Sequence, residues 1–422
     1  MKDKKSFNSF IIFWATQTLS RLGSSLTPFA LVLWAYGQTG SALDTALLTV
    51  SSYLPYILLS LPVGALTDRL DKKGLILAAD SLCALCTFML FLSWHSGSLA
   101  LWQLYLANAF SGLCQTFQQP ASEVAVTLVT PADKYQKAGS MNALSGSMIS
   151  LASPVIATAL YSAGGLGLVI AADLSSFVLA FISLILFVRI PASDMRMDEV
   201  SISEGLREAF CFLRSTPGIL QVILFLAAIN LIASVYNAAL PALVLSTAGE
   251  PVLASVQAAG GLAMILGSLA AAALPRPRSR VRAITASLFI SMGTENFLLA
   301  FSREPLVWCA GAFLGWLCIP VMNTNLDALM RSHVPHSLQG RIYSSRNMLQ
   351  FFTIPLGYML GGFLVDSVFE PVMDGRTDGV LVTLFGSGKG SGAAFLFSVI
   401  GVLGLLVCIV FSRFRAMRHL ED

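Results

Sequence analysis

Charge is scarce in this chain. Of its 422 residues only 12% are Asp, Glu, Lys or Arg, about half the share usual in a soluble domain. With 55% of residues hydrophobic, an ordinary water-soluble globule is excluded. Histidine is scarce too. The four present, His95, His333, His336 and His419, fall near expected loops or the C-terminal tail, and no His-Glu-x-x-His occurs. Without a convergent nucleophile and base, no enzyme activity, metal site or cofactor is expected. The seven cysteines are scattered. Cys83 and Cys86 form a CxxC, but inside an apolar run, where small-residue packing suffices. A net charge of +3 gives no nucleic-acid footprint. No cleavable leader is expected either. Met1-Lys2-Asp3-Lys4-Lys5 runs directly into apolar sequence with no small-residue cleavage site.

What the chain has is long apolar runs. Twelve are legible, over about 8–36, 42–66, 74–94, 99–128, 138–162, 166–188, 217–245, 252–274, 282–301, 306–331, 341–368 and 393–412. Each meets the roughly 20 residues that a spanning helix needs. Threading them alternately through a membrane puts 22 of the 26 Lys and Arg on the side of the N-terminus. Arg303, Arg376 and Lys389 lie opposite, and Arg21 lies within a segment. That asymmetry follows the positive-inside rule. The expectation is an all-α, multi-pass protein of a bacterial inner membrane with both termini cytoplasmic.

The longest cytoplasmic connection, 189–216, divides the segments six and six. Ser201-x-x-Glu204 reads there as a capping box, and Ile202, Leu206, Phe210 and Leu213 share one helical face. The expected organisation is a bundle over 1–188, a linker with an interfacial helix over 189–216, and a second bundle over 217–422. Spacing supports two related halves. Gln17 and Pro28 recur as Asn230 and Pro241. Pro120, Pro131 and Pro154 recur as Pro320, Pro335 and Pro355. Between the last two segments, 369–391 is long and glycine-rich and reads as a mobile outer lid or a plain linker. Gly386-Ser-Gly-Lys-Gly-Ser-Gly there lacks the pattern of a phosphate loop.

Polar groups inside spanning segments are costly, so each is a candidate for function. Arg21, near mid-membrane, either attracts an anionic group of a substrate or pairs with a buried carboxylate. A carboxyl in a low dielectric can carry a proton near neutral pH, and Glu123, Asp173, Glu295 and Asp327 form that pool. For Glu123 and Asp327 the other reading is an inner-gate pair with Arg69, Arg341 or Arg346. Gln17, Asn108, Gln115, Asn230, Asn237, Asn323 and Asn325, with Phe117 and Trp316, either line a cavity for a bulky amphipathic solute or join helices by hydrogen bonds.

The hairpin after the second segment reads Gly64-Ala65-Leu66-Thr67-Asp68-Arg69-Leu70-Asp71-Lys72-Lys73. Gly64 permits close helix approach, Asp68 and Arg69 suit a gate, and Lys72 and Lys73 suit anionic lipid. The other reading is a hairpin that only fixes topology. The pattern Gly-x-Leu-x-Asp-Arg-x-x-Lys-Lys resembles the loop between helices 2 and 3 of the major facilitator superfamily. Several stretches are similar to that superfamily's macrolide-efflux branch: Trp14-x-x-Gln17, Ser20-Arg-Leu-Gly23, Thr39-Gly-Ser-Ala42, Gln339-Gly-Arg341 and Asp366-Ser-Val-Phe-Glu-Pro371. The resemblance implies twelve transmembrane helices in two pseudo-symmetric six-helix bundles and export by alternating access. It further implies an amphipathic drug or natural product as cargo, moved by proton antiport, with membrane lipids as expected neighbours and a monomer as the fold-level default. A siderophore, small peptide or lysolipid cargo, or a facilitated or sodium-coupled carrier, is the alternative. The arginine that many proton-coupled exporters carry in helix 4 has no counterpart here; Asn108 stands in that stretch.

Overall fold

A computed structural model describes residues 2–131, 134–188, 210–275, 277–334 and 339–414, together with Met417 and Leu420. Among them all regular secondary structure is helical. Among the described residues nine helical stretches are long and apolar enough to cross a membrane, two of which, Pro305–Met330 and Arg346–Met373, each run through more than one of the chain's helices. In hydrocarbon every backbone group must be paired within its own segment, which the helix does.

The chain divides into two compact units. The first comprises Met1–Ala35 with Ser51–Glu199, and the second Tyr36–Val50 with Val200–Asp422. The helices of the first part of the chain are α1 (Lys2–Thr39), α2 (Ala42–Arg69), α3 (Lys72–His95), α4 (Leu101–Val129) and α5 (Tyr135–Phe187). At 1.5 Å per residue, the 53 residues of α5 would reach about 80 Å, far beyond a hydrocarbon core of about 30 Å. The helix is in fact two arms. Gly164 (φ −153°) and Gly165 (φ 66°) leave helical geometry between them, where the sequence ends one segment and starts the next. The second conformation suits glycine, which has no Cβ to clash.

With lipid as solvent, helix association relies on close packing at small residues. A Cβ on Gly112 of α4 would strike the Ser52 carbonyl of α2. At one end of the unit Phe13, Ile76, Ala121, Ala125, Leu184 and Val188 form a buried cluster. Asp71 caps α3, its carboxylate accepting from the Gly74 amide at 2.7 Å. The hairpin lysines take protein partners. Lys72 is buried and donates to the Leu70 carbonyl at 3.0 Å. Lys73 donates to the Val188 carbonyl at 2.7 Å, at the end of α5. Carbonyls left free near these helix ends thus accept from both hairpin ammonium groups.

The second unit contains α6 (Pro217–Thr247), α7 (Glu250–Ala273), α8 (Arg280–Phe301), α9 (Pro305–Leu317), α10 (Ile319–His333), α11 (Gln339–Phe351), α12 (Thr353–Leu364), α13 (Glu370–Met373), α14 (Val380–Phe385) and α15 (Ser391–Ser412). The run expected over 306–331 is matched by one stretch, Pro305–Met330, kinked at Cys318 two residues before Pro320, where proline removes a helical hydrogen bond. The run expected over 341–368 continues through Phe352, whose amide donates to the Met348 carbonyl at 3.0 Å, and passes through a π-helical turn at Val365–Phe369. The interfacial helix expected within 189–216 lies mostly outside the described residues. Of its proposed apolar face, Phe210 is exposed and Leu213 is buried.

The stretch 369–391 is tied down rather than a plain linker. Phe385 is buried, its ring 4.8 Å from that of Phe395 and 5.7 Å from that of Phe301. Arg303 donates to the Phe385 carbonyl. Burial pulls the Arg303 guanidinium below the usual arginine value, and nearby Glu370 opposes that shift. Glu370 accepts from the Gly390 amide at 3.0 Å and the Ala393 amide at 3.2 Å, capping α15. A carboxylate thus occupies the place that a phosphate loop would leave for phosphate.

Candidate functional site

Helices α1 and α4 are of spanning length, at 38 and 29 residues, but they are more polar than the nine apolar candidates. The polar residues lie on faces of their own. On α1, Ile12 and Leu19 are exposed apolar residues, whereas Arg21 and Ser24 are exposed polar ones. Leu19 and Arg21 are two residues apart, about 200° around a helix, so these two lie on opposite sides, with the exposed Ile11 between them. On α4, Trp102, Leu106 and Phe110 form one exposed stripe and Gln115, Gln119 and Glu123 another. The apolar stripes suit lipid and the polar ones suit water.

Two carboxyls are buried in the first unit. Asp173, on the second arm of α5, accepts from the Thr27 hydroxyl at 2.7 Å and the Ser24 hydroxyl at 3.2 Å, both on α1. Asp80 on α3 accepts from the Gln118 amide of α4, and the buried Gln17 of α1 faces the same carboxyl. Neither has a cation beside it among the described residues. Each carboxyl is held by hydroxyls or amides, which can accommodate its charged or its protonated form.

The second unit has a counterpart. Glu295 on α8 is 5% exposed and accepts from the Trp316 indole of α9 at 2.9 Å. The buried Tyr236 hydroxyl of α6 lies beside it. Space for this group comes from two glycines. A Cβ on Gly315 would fall 2.7 Å from the Glu295 Cβ, and one on Gly260 would fall 3.1 Å from the indole ring. Larger residues at either place would push the acid or the indole aside.

Of the four expected proton carriers, Asp173 and Glu295 are therefore buried, whereas Glu123 and Asp327 are exposed. Asp327 lies 3.7 Å from Arg346, the gate-type pairing. Among the amides, Asn108 donates to the Leu104 carbonyl at 3.0 Å, Asn237 to Ala233 at 2.8 Å and Asn325 to Val321 at 2.9 Å. Each folds back on its own helix. Asn230 reaches the Gln350 carbonyl of α11 at 3.5 Å. Gln115 and Asn323 are exposed and Phe117 is half-buried. The side chains of Asp68, Arg69 and Arg341, and the surroundings of Gly64, lie outside the described residues.

Asp80, Gln118 and Tyr236 were not singled out from sequence. For Asp80 a signal existed, since it is the one charged residue in the run Gly74–Trp94. Asp366 is a further case. Its carboxylate accepts from the Ser41 hydroxyl at 2.7 Å and from the Ala42 and Leu43 amides at 3.0 and 2.8 Å, all within the second unit. It caps the start of α2, where unpaired amides and the helix dipole favour an anion. Two stretches quoted for the branch resemblance, Thr39–Ala42 and Asp366–Pro371, meet at this cap.

Buried acids in helices of spanning length are candidates for function, and sequence comparison gives the family. The family model described as Major Facilitator Superfamily matches residues 13–358. The chain belongs to that superfamily. This member is similar to macrolide efflux protein A of Streptococcus pyogenes, 24% identical over 370 residues, covering 85% of this chain and 90% of that protein. It is also similar, more weakly, to the enterobactin exporter EntS of Salmonella choleraesuis (strain SC-B67), 24% identical over 370 residues and covering 85% of this chain and 82% of that protein. Among solved structures, the nucleoside transporter NupG matches with a TM-score of 0.73 at 10% identity, covering 97% of this chain and all of that one. At that identity the likeness is one of fold. As a superfamily member the chain is a multi-pass membrane transporter.

Proposed function

We propose that the chain exports an amphipathic small molecule in exchange for protons, by alternating access across a bacterial cytoplasmic membrane. One observation carries the reading. Asp173 and Glu295, one in each unit, are buried carboxyls within spanning helices, held by hydroxyls or an indole rather than by cations. Such a group can take up and release a proton without breaking an ion pair. One charge crossing 100 mV supplies about 2.3 kcal/mol, an adequate driving force. The amphipathic cargo is supported by the macrolide and enterobactin exporters among the relatives.

The test uses the purified chain in sealed liposomes holding a pH-sensitive dye, with a panel of amphipathic cargoes. Cargo-dependent proton movement that disappears in Asp173→Asn or Glu295→Gln is the expected result. Cargo flux without proton movement would replace antiport by facilitated or sodium-coupled transport. A siderophore-like cargo is the second reading, because an enterobactin exporter is among the relatives, at a weaker match than the macrolide protein. The same panel separates the two.

A further inference from the structure

We infer that Arg21 is the recognition point for an acidic group on the cargo, so that the transported amphipath is an anion. The inference rests on the export reading above and adds the chemical class of the cargo.

Arg21 lies well inside a spanning helix of 38 residues, and its charge must have a counterpart or water. Sequence left two possibilities, a buried carboxylate of the protein or a group on the substrate. The structure removes the first for the described residues, where Arg21 has neither an ion pair nor a hydrogen bond. The acid that meets α1 one turn further on is Asp173. It is turned to the Ser24 and Thr27 hydroxyls at 3.2 and 2.7 Å and not to the guanidinium.

Most of the exposed apolar surface of α1 points away from Arg21. Ile12 and Leu19, 37% and 44% exposed, lie about 180° and 160° around the helix from it, and Ile11, 40% exposed, about 80°. Arg21 is exposed together with Ser24 on the opposite side. A guanidinium held open beside a hydroxyl offers forked, charge-assisted hydrogen bonds, for which a carboxylate, sulfonate or catecholate oxygen is the complementary ligand. Behind that face, Ser24 also contacts Asp173. An anion bound at Arg21 is thus one side chain away from a buried acid. A cationic cargo would find the wrong sign of charge there.

The experiment uses the full chain in phosphatidylcholine vesicles, with dansylglycine and its uncharged amide as probes read by fluorescence. Dansylglycine is expected to bind about tenfold more tightly than the amide, the scale of a charge-assisted hydrogen bond. Arg21→Gln should erase that preference, and Arg21→Lys should restore part of it. A thermal melting temperature near wild type is the check that each variant is folded.

Three results would overturn the inference: no preference for the anion in the wild type, a preference that survives in Arg21→Gln, or no binding of dansylglycine at all. Adding phosphatidylglycerol to the vesicles separates the sources of anion. Displacement of dansylglycine would make a lipid headgroup the ligand and overturn the proposal, and undiminished binding supports it. Proton movement is measured separately. Arg21-dependent binding with no proton movement would retain this inference and remove antiport. Antiport of an uncharged cargo undisturbed in Arg21→Gln would do the reverse.

Discussion

Asp366 and Ser41, 325 residues apart in sequence, are joined by a hydrogen bond of 2.7 Å. Through the same carboxylate the Ala42 and Leu43 amides are also satisfied. The start of α2 is therefore capped by a residue from the other end of the chain. Asp366→Ala should lower stability by about 1–3 kcal/mol, because three donors lose their acceptor. Asp366→Asn should cost less, since its carbonyl still accepts. Unfolding in mixed micelles reads the ranking; equal stability of both variants and wild type would remove the cap from the account.

Glu295 is predicted to be needed for coupling and not for folding. In Glu295→Gln a carbonyl oxygen still accepts from the Trp316 indole, but no proton can be carried. Cargo-dependent proton flux should fall to the protein-free background while thermal stability stays near wild type. Trp316→Phe should do the opposite, destabilising the protein by about 1–3 kcal/mol as the acid loses its donor while some flux remains. Parallel flux and melting measurements check the split.

Asp80 gives a third test. Asp80→Leu leaves the Gln118 and Gln17 amides facing an apolar group, a loss of about 1–3 kcal/mol. Asp80→Asn keeps a hydrogen-bonding partner and should cost less than half of that. A flux assay on Asp80→Asn then asks whether this acid also moves protons. Full coupling would confine Asp80 to a structural part.

Two glycines should respond with opposite signs. Gly112→Ala sets a Cβ against the Ser52 carbonyl, which is backbone and cannot swing away. A loss of about 1–3 kcal/mol is expected from the forced separation of α2 and α4. Gly37 meets nothing within 4 Å and sits inside α1, so Gly37→Ala should be neutral or stabilising by up to about 1 kcal/mol. Measuring both in one background separates packing from helix propensity.

Much of the fold was legible because membrane solvent imposes a simple rule. An apolar run of about 20 residues must be a helix there, and the helix ends at Ala42, Lys72, Pro217 and Ser412 fall within two residues of the expected run ends, whereas α1 extends from Lys2 to Thr39 against 8–36 and α2 continues past Leu66 to Arg69. The kinks within runs were less legible. A proline such as Pro320 weakens a helix locally, but whether it bends or breaks depends on what packs beside it. Among the site residues, Asp173 and Glu295 were visible as charges in apolar sequence. Asp80 carried the same signal. Tyr236 did not, since a tyrosine in a spanning helix is unremarkable until an acid is seen next to it.

The sequence by itself determined the solvent, the helices and the superfamily, because hydropathy and local motifs act over a few residues to a few turns. Tertiary structure decided which polar groups meet. Glu123 and Asp173 look alike in sequence as acids in apolar helices, yet one is exposed and the other closed in by Ser24 and Thr27. Burial and partnership depend on how helices far apart in the chain rotate against one another, and a rotation of one residue, about 100°, exchanges lipid, water and protein as the neighbour.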